Sequence, residues 1–188
     1  RLKGLPLAIN VDGIERNRSK WNSLGKLWYR IGERASVLFA NCVVADAEVI
    51  AEYYRKEYRC DPVVIPYGVH PTPRSPSQVL SQFNLTPKNY ILYVSRLEPE
   101  NNALGVIQAY TRLSTEMPLV IVGDAPYADE YKESLRRAAN DKVIFTGFQF
   151  GDAYEEFQSN AYLYIQATEV GGTHPALIES MSFGNCVI

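Results

Sequence analysis

Near its end the chain reads Glu169-Val170-Gly171-Gly172-Thr173-His174-Pro175, and Glu179 follows shortly after. Gly171 and Gly172 offer backbone free of side chains, Thr173 or His174 can cap a helix, and Pro175 suits a first helical turn. Such a helix start presents free N–H groups and a partial positive charge, which suits a phosphate. Leu177, Ile178 and Met181 supply a buried face, which puts Glu179 one turn into the helix and Glu169 just before it. Two carboxylates flanking an anion-binding loop can hold hydroxyls beside a diphosphate. The plainer alternative is an ordinary βα turn with solvated glutamates. Arg96 weighs against that alternative, because it follows another apolar run and its planar fork binds phosphate oxygens in pairs. Gly123-Asp124 and Gly147-Phe148 end two further runs. Asp12 and Asp124 read equally as turn or capping residues and as ligand groups.

The elements that must position these groups follow from periodicity. Strands are predicted over residues 7–11, 42–45, 63–65, 90–95, 119–122, 143–146 and 162–166, with a further one entered at 186. Helices are predicted between them, over residues 47–58, 103–113, 128–140, 152–159 and 175–183. An earlier helix is marked by Trp21, Leu24, Trp28, Ile31, Ala35 and Leu38. Strands alternating with helices imply right-handed crossovers and parallel sheets. The expected fold is α/β, with two Rossmann-like doubly wound parallel-sheet domains, over residues 1–70 and 89–188. Residues 71–88, rich in proline and serine at their start, are expected as a linker. The first residue is Arg1 and the last run is Cys186-Val187-Ile188, so both domains are expected to be incomplete. In an open parallel sheet, ligands bind outside the carboxyl ends of the strands, where all the groups above fall.

Composition narrows the function classes. The 188 residues are 46% hydrophobic and 21% charged with a net charge of −2, so no global pull toward nucleic acid exists. No apolar stretch approaches the ~20 residues that span a bilayer, and a cytoplasmic location is expected. Cys42, Cys60 and Cys186 show no C-x-x-C pairing; Cys42 and Cys186 open apolar runs and read as buried thiols. His70 and His174 lack zinc-site spacing, and no metal is expected. No G-x-G-x-x-G, P-loop or G-x-S-x-G occurs. One local excess of charge remains: Arg16, Arg18, Lys20, Lys26, Arg30 and Arg34 outnumber Glu15 and Glu33. Lys26, Arg30 and Arg34 form an i, i+4 stripe that is either a solvated face or a contact for anionic lipid headgroups or a lipid-diphosphate acceptor.

Taken in order, Val94-Ser95-Arg96-Leu97-Glu98-Pro99-Glu100-Asn101-Asn102, Ile121-Val122-Gly123-Asp124, Val143-Ile144-Phe145-Thr146-Gly147 and the segment 169–179 resemble the donor-domain motifs of family 4 glycosyltransferases. Those enzymes have the GT-B architecture, two Rossmann-like domains. Asn10-Val11-Asp12-Gly13-Ile14-Glu15 and Arg18-Ser19-Lys20-Trp21-Asn22 are similar to the back half of the acceptor domain in a bacterial rhamnosyltransferase-like branch, and Val64-Ile65-Pro66-Tyr67-Gly68-Val69 to the segment leading out of it. The resemblance implies transfer of a sugar, in this branch rhamnose, from a nucleotide-diphospho sugar to a hydroxyl, with retention, in cell-surface polysaccharide assembly. The implied partners are a nucleotide sugar and a saccharide or lipid-linked saccharide acceptor, with contact at the inner face of the membrane through residues 16–34. No cofactor beyond the nucleotide sugar is implied.

The resemblance also implies roles. Arg96 would hold the donor diphosphate with backbone amides at Gly172 to His174 and the glycine at Gly171. Glu179 would bind the ribose, Gly147 and Phe148 would lie against the base, and Gly123 and Asp124 would line the donor edge. Glu169 would contact the sugar, and Asp12 would stand beside the reacting centre. Two departures from the family pattern stand out. Asn101 occupies the place of a lysine, and Glu169 precedes Glu179 by more residues than the family's paired glutamates allow, which puts Gly171 at the first glutamate's position. A sugar-nucleotide epimerase or phosphorylase of the same architecture, or a non-catalytic nucleotide-sugar-binding subunit, are the rival readings.

Overall fold

Short apolar runs too uniform to alternate belong in strands buried on both faces, and residues 91–94 and 119–122 are such runs. The structure, a computed structural model, describes residues 4–17, 21–169 and 173–188. These divide into two compact units: residues up to Gly68 together with Thr173 and His174, and Val69–Glu169 with Pro175–Ile188.

In the first unit, β1 (Ala8–Val11), β2 (Cys42–Ala45) and β3 (Val63–Val64) form a parallel sheet in that order. Two helices make the crossovers, α1 (Ser23–Phe39) and α2 (Glu48–Tyr58). Val11, Val43, Ala45, Ile50, Ala51 and Tyr54 are its core. Asn22 caps α1 by accepting the Gly25 N–H at 2.9 Å. The stripe that marks α1 in the sequence is not the face it buries here: Leu24, Trp28, Ile31 and Leu38 are exposed, whereas Glu33 is 9% exposed. Glu33 is buried because its carboxylate accepts from Tyr53 (2.8 Å) and Tyr58 and lies 3.6 Å from Arg16.

In the second unit, a five-stranded parallel sheet runs β6-β5-β4-β7-β8, where β4 is Ile91–Val94, β5 Leu119–Val122, β6 Val143–Gly147, β7 Leu163–Ile165 and β8 Cys186–Val187. Successive residues of β4 point into opposite cores. Ile91 and Tyr93 pack with α4 (Ala103–Tyr110) and α5 (Asp129–Ala138). Tyr90 and Leu92 pack with α3 (Gln78–Gln82), α6 (Gly151–Asn160) and α7 (Pro175–Ser182). This is the doubly wound arrangement expected from the alternation of strands and helices.

Two expectations change. Residues 71–88 are not a free linker; they belong to the second unit and contain α3. Glu156, on α6, accepts the amides of Ser77 at 2.7 Å and Leu80 at 3.2 Å and the Ser77 hydroxyl, so a carboxylate from another helix caps α3. Arg74 is held in the same way by Asp152 at 2.6 Å and Glu155 at 2.8 Å. The second change is in the cysteines expected to be buried: Cys186 is exposed and Cys42 half-buried.

Candidate functional site

The sheet order of the second unit identifies its crevice. The chain runs from β4 to β5 and β6 on one side and then returns to β7 on the other side of β4, so the strand order reverses there. A gap therefore opens at the carboxyl ends of β4 and β7. The loop after β4 carries Arg96, and the loop after β7 leads through Glu169 toward α7.

The β4 loop is braced from within. Ser95 donates to the Tyr93 hydroxyl at 2.8 Å, Tyr93 donates to the Asn101 carbonyl, and the Asn101 amide donates to the Arg96 carbonyl at 2.7 Å. Asn101 therefore acts as a strut within the loop. These bonds hold the backbone on both sides of Arg96 while its side chain stays 62% exposed, with Glu98 at 3.8 Å. Glu169 is exposed, and its amide donates to the Glu100 carbonyl at 3.1 Å. The two loops that flank the crevice are thus tied by a backbone bond.

Gly123 and Gly147 shape the neighbouring edge. Gly123 has φ +135°, and a Cβ there would sit 1.8 Å from the Ser95 carbonyl oxygen. Its N–H donates to the Gly147 carbonyl at 2.9 Å, in a bridge that follows a register shift between β5 and β6. Gly147, at φ +70°, turns the chain so that Phe148 and Phe150 emerge stacked, their centroids 5.8 Å apart and 24° from coplanar. Both rings are exposed, which leaves an aromatic face for a planar group. Asp124 is engaged structurally: its carboxylate accepts the Ala125 N–H at 2.7 Å and meets Lys132 at 3.1 Å. Those contacts, the Ala125 amide first, hold its pKa below the ordinary value.

Glu179 lies on α7, half-buried, and Tyr154 of α6 donates its hydroxyl to that carboxylate. Gln158 donates to the Tyr154 oxygen at 2.9 Å, which aims the phenolic proton at Glu179. Burial and then the bond to Glu179 push the Tyr154 pKa upward, so it remains a donor. Sequence reading missed Tyr154, which has no local signal: it stands 25 positions before its partner.

Gly171 and Gly172 lie outside the described residues. Thr173 and His174 group with the first unit. There the Thr173 amide, expected to face phosphate, donates to the Asp46 carboxylate at 2.9 Å. Asp46 follows β2, is 2% exposed, and its second oxygen has no hydrogen-bond partner among the described residues. Asp12 follows β1 and is exposed, and Tyr67 follows β3. The Tyr67 phenol is pushed above its ordinary pKa by the charge of Asp12 first, then by desolvation and by Asp46. Asp12, Asp46 and Tyr67 therefore gather at one carboxyl edge. Asp46 was not among the expected residues, because an aspartate before a helix reads as a cap.

Comparison with known proteins bears on the family and the fold. Residues 80–188 match the family model described as "Glycosyl transferases group 1", and residues 1–70 match a domain of unknown function, DUF1972. The chain is 30% identical over 100 residues to the N-acetylgalactosamine-N,N'-diacetylbacillosaminyl-diphospho-undecaprenol 4-alpha-N-acetylgalactosaminyltransferase of Campylobacter jejuni, covering 53% of this chain and 27% of that protein. It is 26% identical over 125 residues to the O-antigen chain mannosyltransferase B of Escherichia coli, covering 62% of this chain and 33% of that protein. Among solved structures, Anabaena HepE in complex with UDP-glucose superimposes with a TM-score of 0.80 at 20% identity, over 97% of this chain and 52% of that one. Sucrose-phosphate synthase from Thermosynechococcus elongatus gives 0.77 at 17% identity, over 96% and 49%. At these identities the superpositions speak for the fold alone. The chain spans about a third or less of the length of these curated relatives.

Proposed function

The chain belongs to the glycosyl transferases group 1 family, and we propose that its second unit binds a nucleotide-diphospho sugar and that the protein transfers the sugar to a hydroxyl acceptor in polysaccharide assembly. One observation carries this reading: the Arg96 loop and the approach to α7 stand on the two sides of the crevice between β4 and β7. Arg96 pairs with the diphosphate, and the segment of Gly171, Gly172, Thr173 and His174 is the proposed source of further backbone amides for it. Glu179, aimed by Tyr154, takes the ribose hydroxyls, and the base lies on Gly147 and Phe148. Glu169 and Asp12 serve the transferred sugar.

In the reaction, the bond from the sugar's anomeric carbon to the diphosphate oxygen breaks and a bond to the acceptor oxygen forms. The acceptor hydroxyl passes its proton to the departing diphosphate oxygen on the same face of the sugar, and that oxygen develops negative charge as its bond to carbon breaks. Preorganised cations and amides that meet this charge are the main source of acceleration, and the reading requires no metal. Retention of configuration and a site of action at the cytoplasmic face of the membrane complete the proposal. No helix among the described residues is long and apolar enough to cross a membrane.

The donor is less narrowly drawn than the site. The branch resemblance supports rhamnose on a thymidine carrier. The relatives' names support N-acetylgalactosamine and mannose, and the HepE structure holds UDP-glucose. A titration of the chain with UDP-glucose, UDP-N-acetylgalactosamine, GDP-mannose and dTDP-rhamnose tests the reading. One donor is expected to bind at least tenfold more tightly than the rest. Absence of binding for all nucleotide sugars and nucleoside diphosphates would refute it.

A further inference from the structure

The first unit carries a feature that the donor site does not use. Arg16, Lys26, Leu27 and Arg30 line a hollow of about 530 Å³. Arg16 is fixed in place: its guanidinium donates to the Tyr53 hydroxyl at 2.6 and 3.1 Å, lies 5.4 Å above the Tyr53 ring, and stands 3.6 Å from Glu33. Arg30 is held by Glu57 at 3.0 Å. Lys26 has no carboxylate partner among the described residues. Among the described residues, three cations thus meet two carboxylates, and the exposed Lys26 is the one without a counter-charge. That is an anion-attracting surface with preset geometry, since the guanidinium positions are set by bonds elsewhere.

One wall of the hollow is apolar, and it continues onto the open face of α1. Leu27 is 55% exposed, and Leu24, Trp28 and Ile31, within one turn of it on the helix, are 77%, 73% and 53% exposed. An apolar strip of this size flanking a cationic hollow does not suit a free sugar phosphate, which has nothing to place on it. It suits an amphiphile with phosphate at one end and hydrocarbon at the other. We propose that this hollow binds the diphosphate of a lipid-linked acceptor, with the first part of the lipid tail lying along Leu27, Leu24, Trp28 and Ile31. The proposal rests on the reading of the protein as a transferase to a lipid-linked saccharide, and it assigns to the first unit the group that anchors the acceptor.

Farnesyl diphosphate, inorganic diphosphate, and phosphatidylcholine vesicles with or without phosphatidylglycerol are the probes. Each is titrated into the chain in saturating uridine diphosphate, which keeps the donor site from taking the diphosphate. Farnesyl diphosphate is expected to bind at least tenfold more tightly than inorganic diphosphate, since burial of about two methylene groups suffices for that ratio. The double variant Lys26→Gln, Arg30→Gln should weaken both ligands about tenfold. Leu27→Asp should remove the advantage of the farnesyl chain. All three side chains are exposed, so the variants fold. Equal binding of the two diphosphates, or unchanged binding by the double variant, would overturn the proposal. Binding of anionic vesicles without binding of farnesyl diphosphate would overturn it too, in favour of a general membrane contact. Uridine diphosphate binding is read in the same preparation: its failure counts against the donor reading, whereas its success with farnesyl diphosphate silent counts against this inference alone.

Discussion

Replacing Gly123 with alanine tests how the donor edge is built. The added Cβ would lie 1.8 Å from the Ser95 carbonyl oxygen, and φ at this position is +135°. Ordinary contact requires a retreat of roughly 1.6 Å, which no rotamer change can supply because the obstacle is backbone. The φ value alone costs about 1–3 kcal/mol for a residue with a side chain. Overpacking adds a further ~1–3 kcal/mol, so the expected loss is about 2–6 kcal/mol. The second unit should absorb part of this by shifting the chain at Ser95, and Arg96 is the next residue. Urea denaturation should therefore show a midpoint lowered by at least about 1 M, for a slope of ~2 kcal/mol per molar. Nucleotide affinity measured well below that midpoint should fall as well. A Gly123→Ala chain with the midpoint of the parent and the same affinity for uridine diphosphate would refute the reasoning that this close approach sets the edge.

Two further outcomes follow from the same geometry. Tyr154→Phe removes the donor that aims Glu179, so affinity for uridine diphosphate should fall about tenfold, as a bond to a charged group is worth ~1.5–3 kcal/mol. Affinity for inorganic diphosphate should stay as it was, and a parallel loss of both in calorimetry would sink the assignment of Glu179 to the nucleoside. Burial pushes the Glu156 pKa up, but the Ser77 hydroxyl and the amides of Ser77 and Leu80 outweigh it and leave the folded value lowered. Its stabilisation is present above the unfolded pKa of about 4.3 and is lost as pH falls through the lower folded value. Glu156→Gln should accordingly destabilise the second unit at neutral pH, and that effect should shrink progressively as pH falls below about 4; a pH-independent difference in thermal midpoint would contradict this.

Much of the fold was legible because its strands are short apolar runs closed by glycine or polar residues. Leu119–Val122 and Cys42–Ala45 are read from sequence to the residue. What escaped depends on partners remote in sequence. α3 has five residues after a run of prolines, and its cap is Glu156, 79 positions after Ser77. The amphipathic pattern of α1 is plain, but which side is buried depends on Tyr53 and Tyr58 meeting Glu33. The site divides in the same way. Arg96 and Glu179 could be named from the motifs that hold them, and the strand ends placed Gly123 and Gly147. The reason Gly123 must lack a side chain is a carbonyl at Ser95, and the partners of Glu179 and Thr173 are Tyr154 and Asp46. Local pattern marks where a turn falls; it does not report which side chain from another element fills it.

The central claim is that Arg96, at the crevice between β4 and β7, holds the diphosphate of the donor. Isothermal titration of the parent chain and Arg96→Ala with uridine diphosphate tests it most directly. Arg96→Ala, whose lost side chain is exposed and meets Glu98 at 3.8 Å in a surface contact worth about 0–1 kcal/mol, should unfold close to the parent's midpoint and bind at least tenfold more weakly, in keeping with ~1.5–3 kcal/mol for a charged contact. Equal affinity in the two proteins would contradict it.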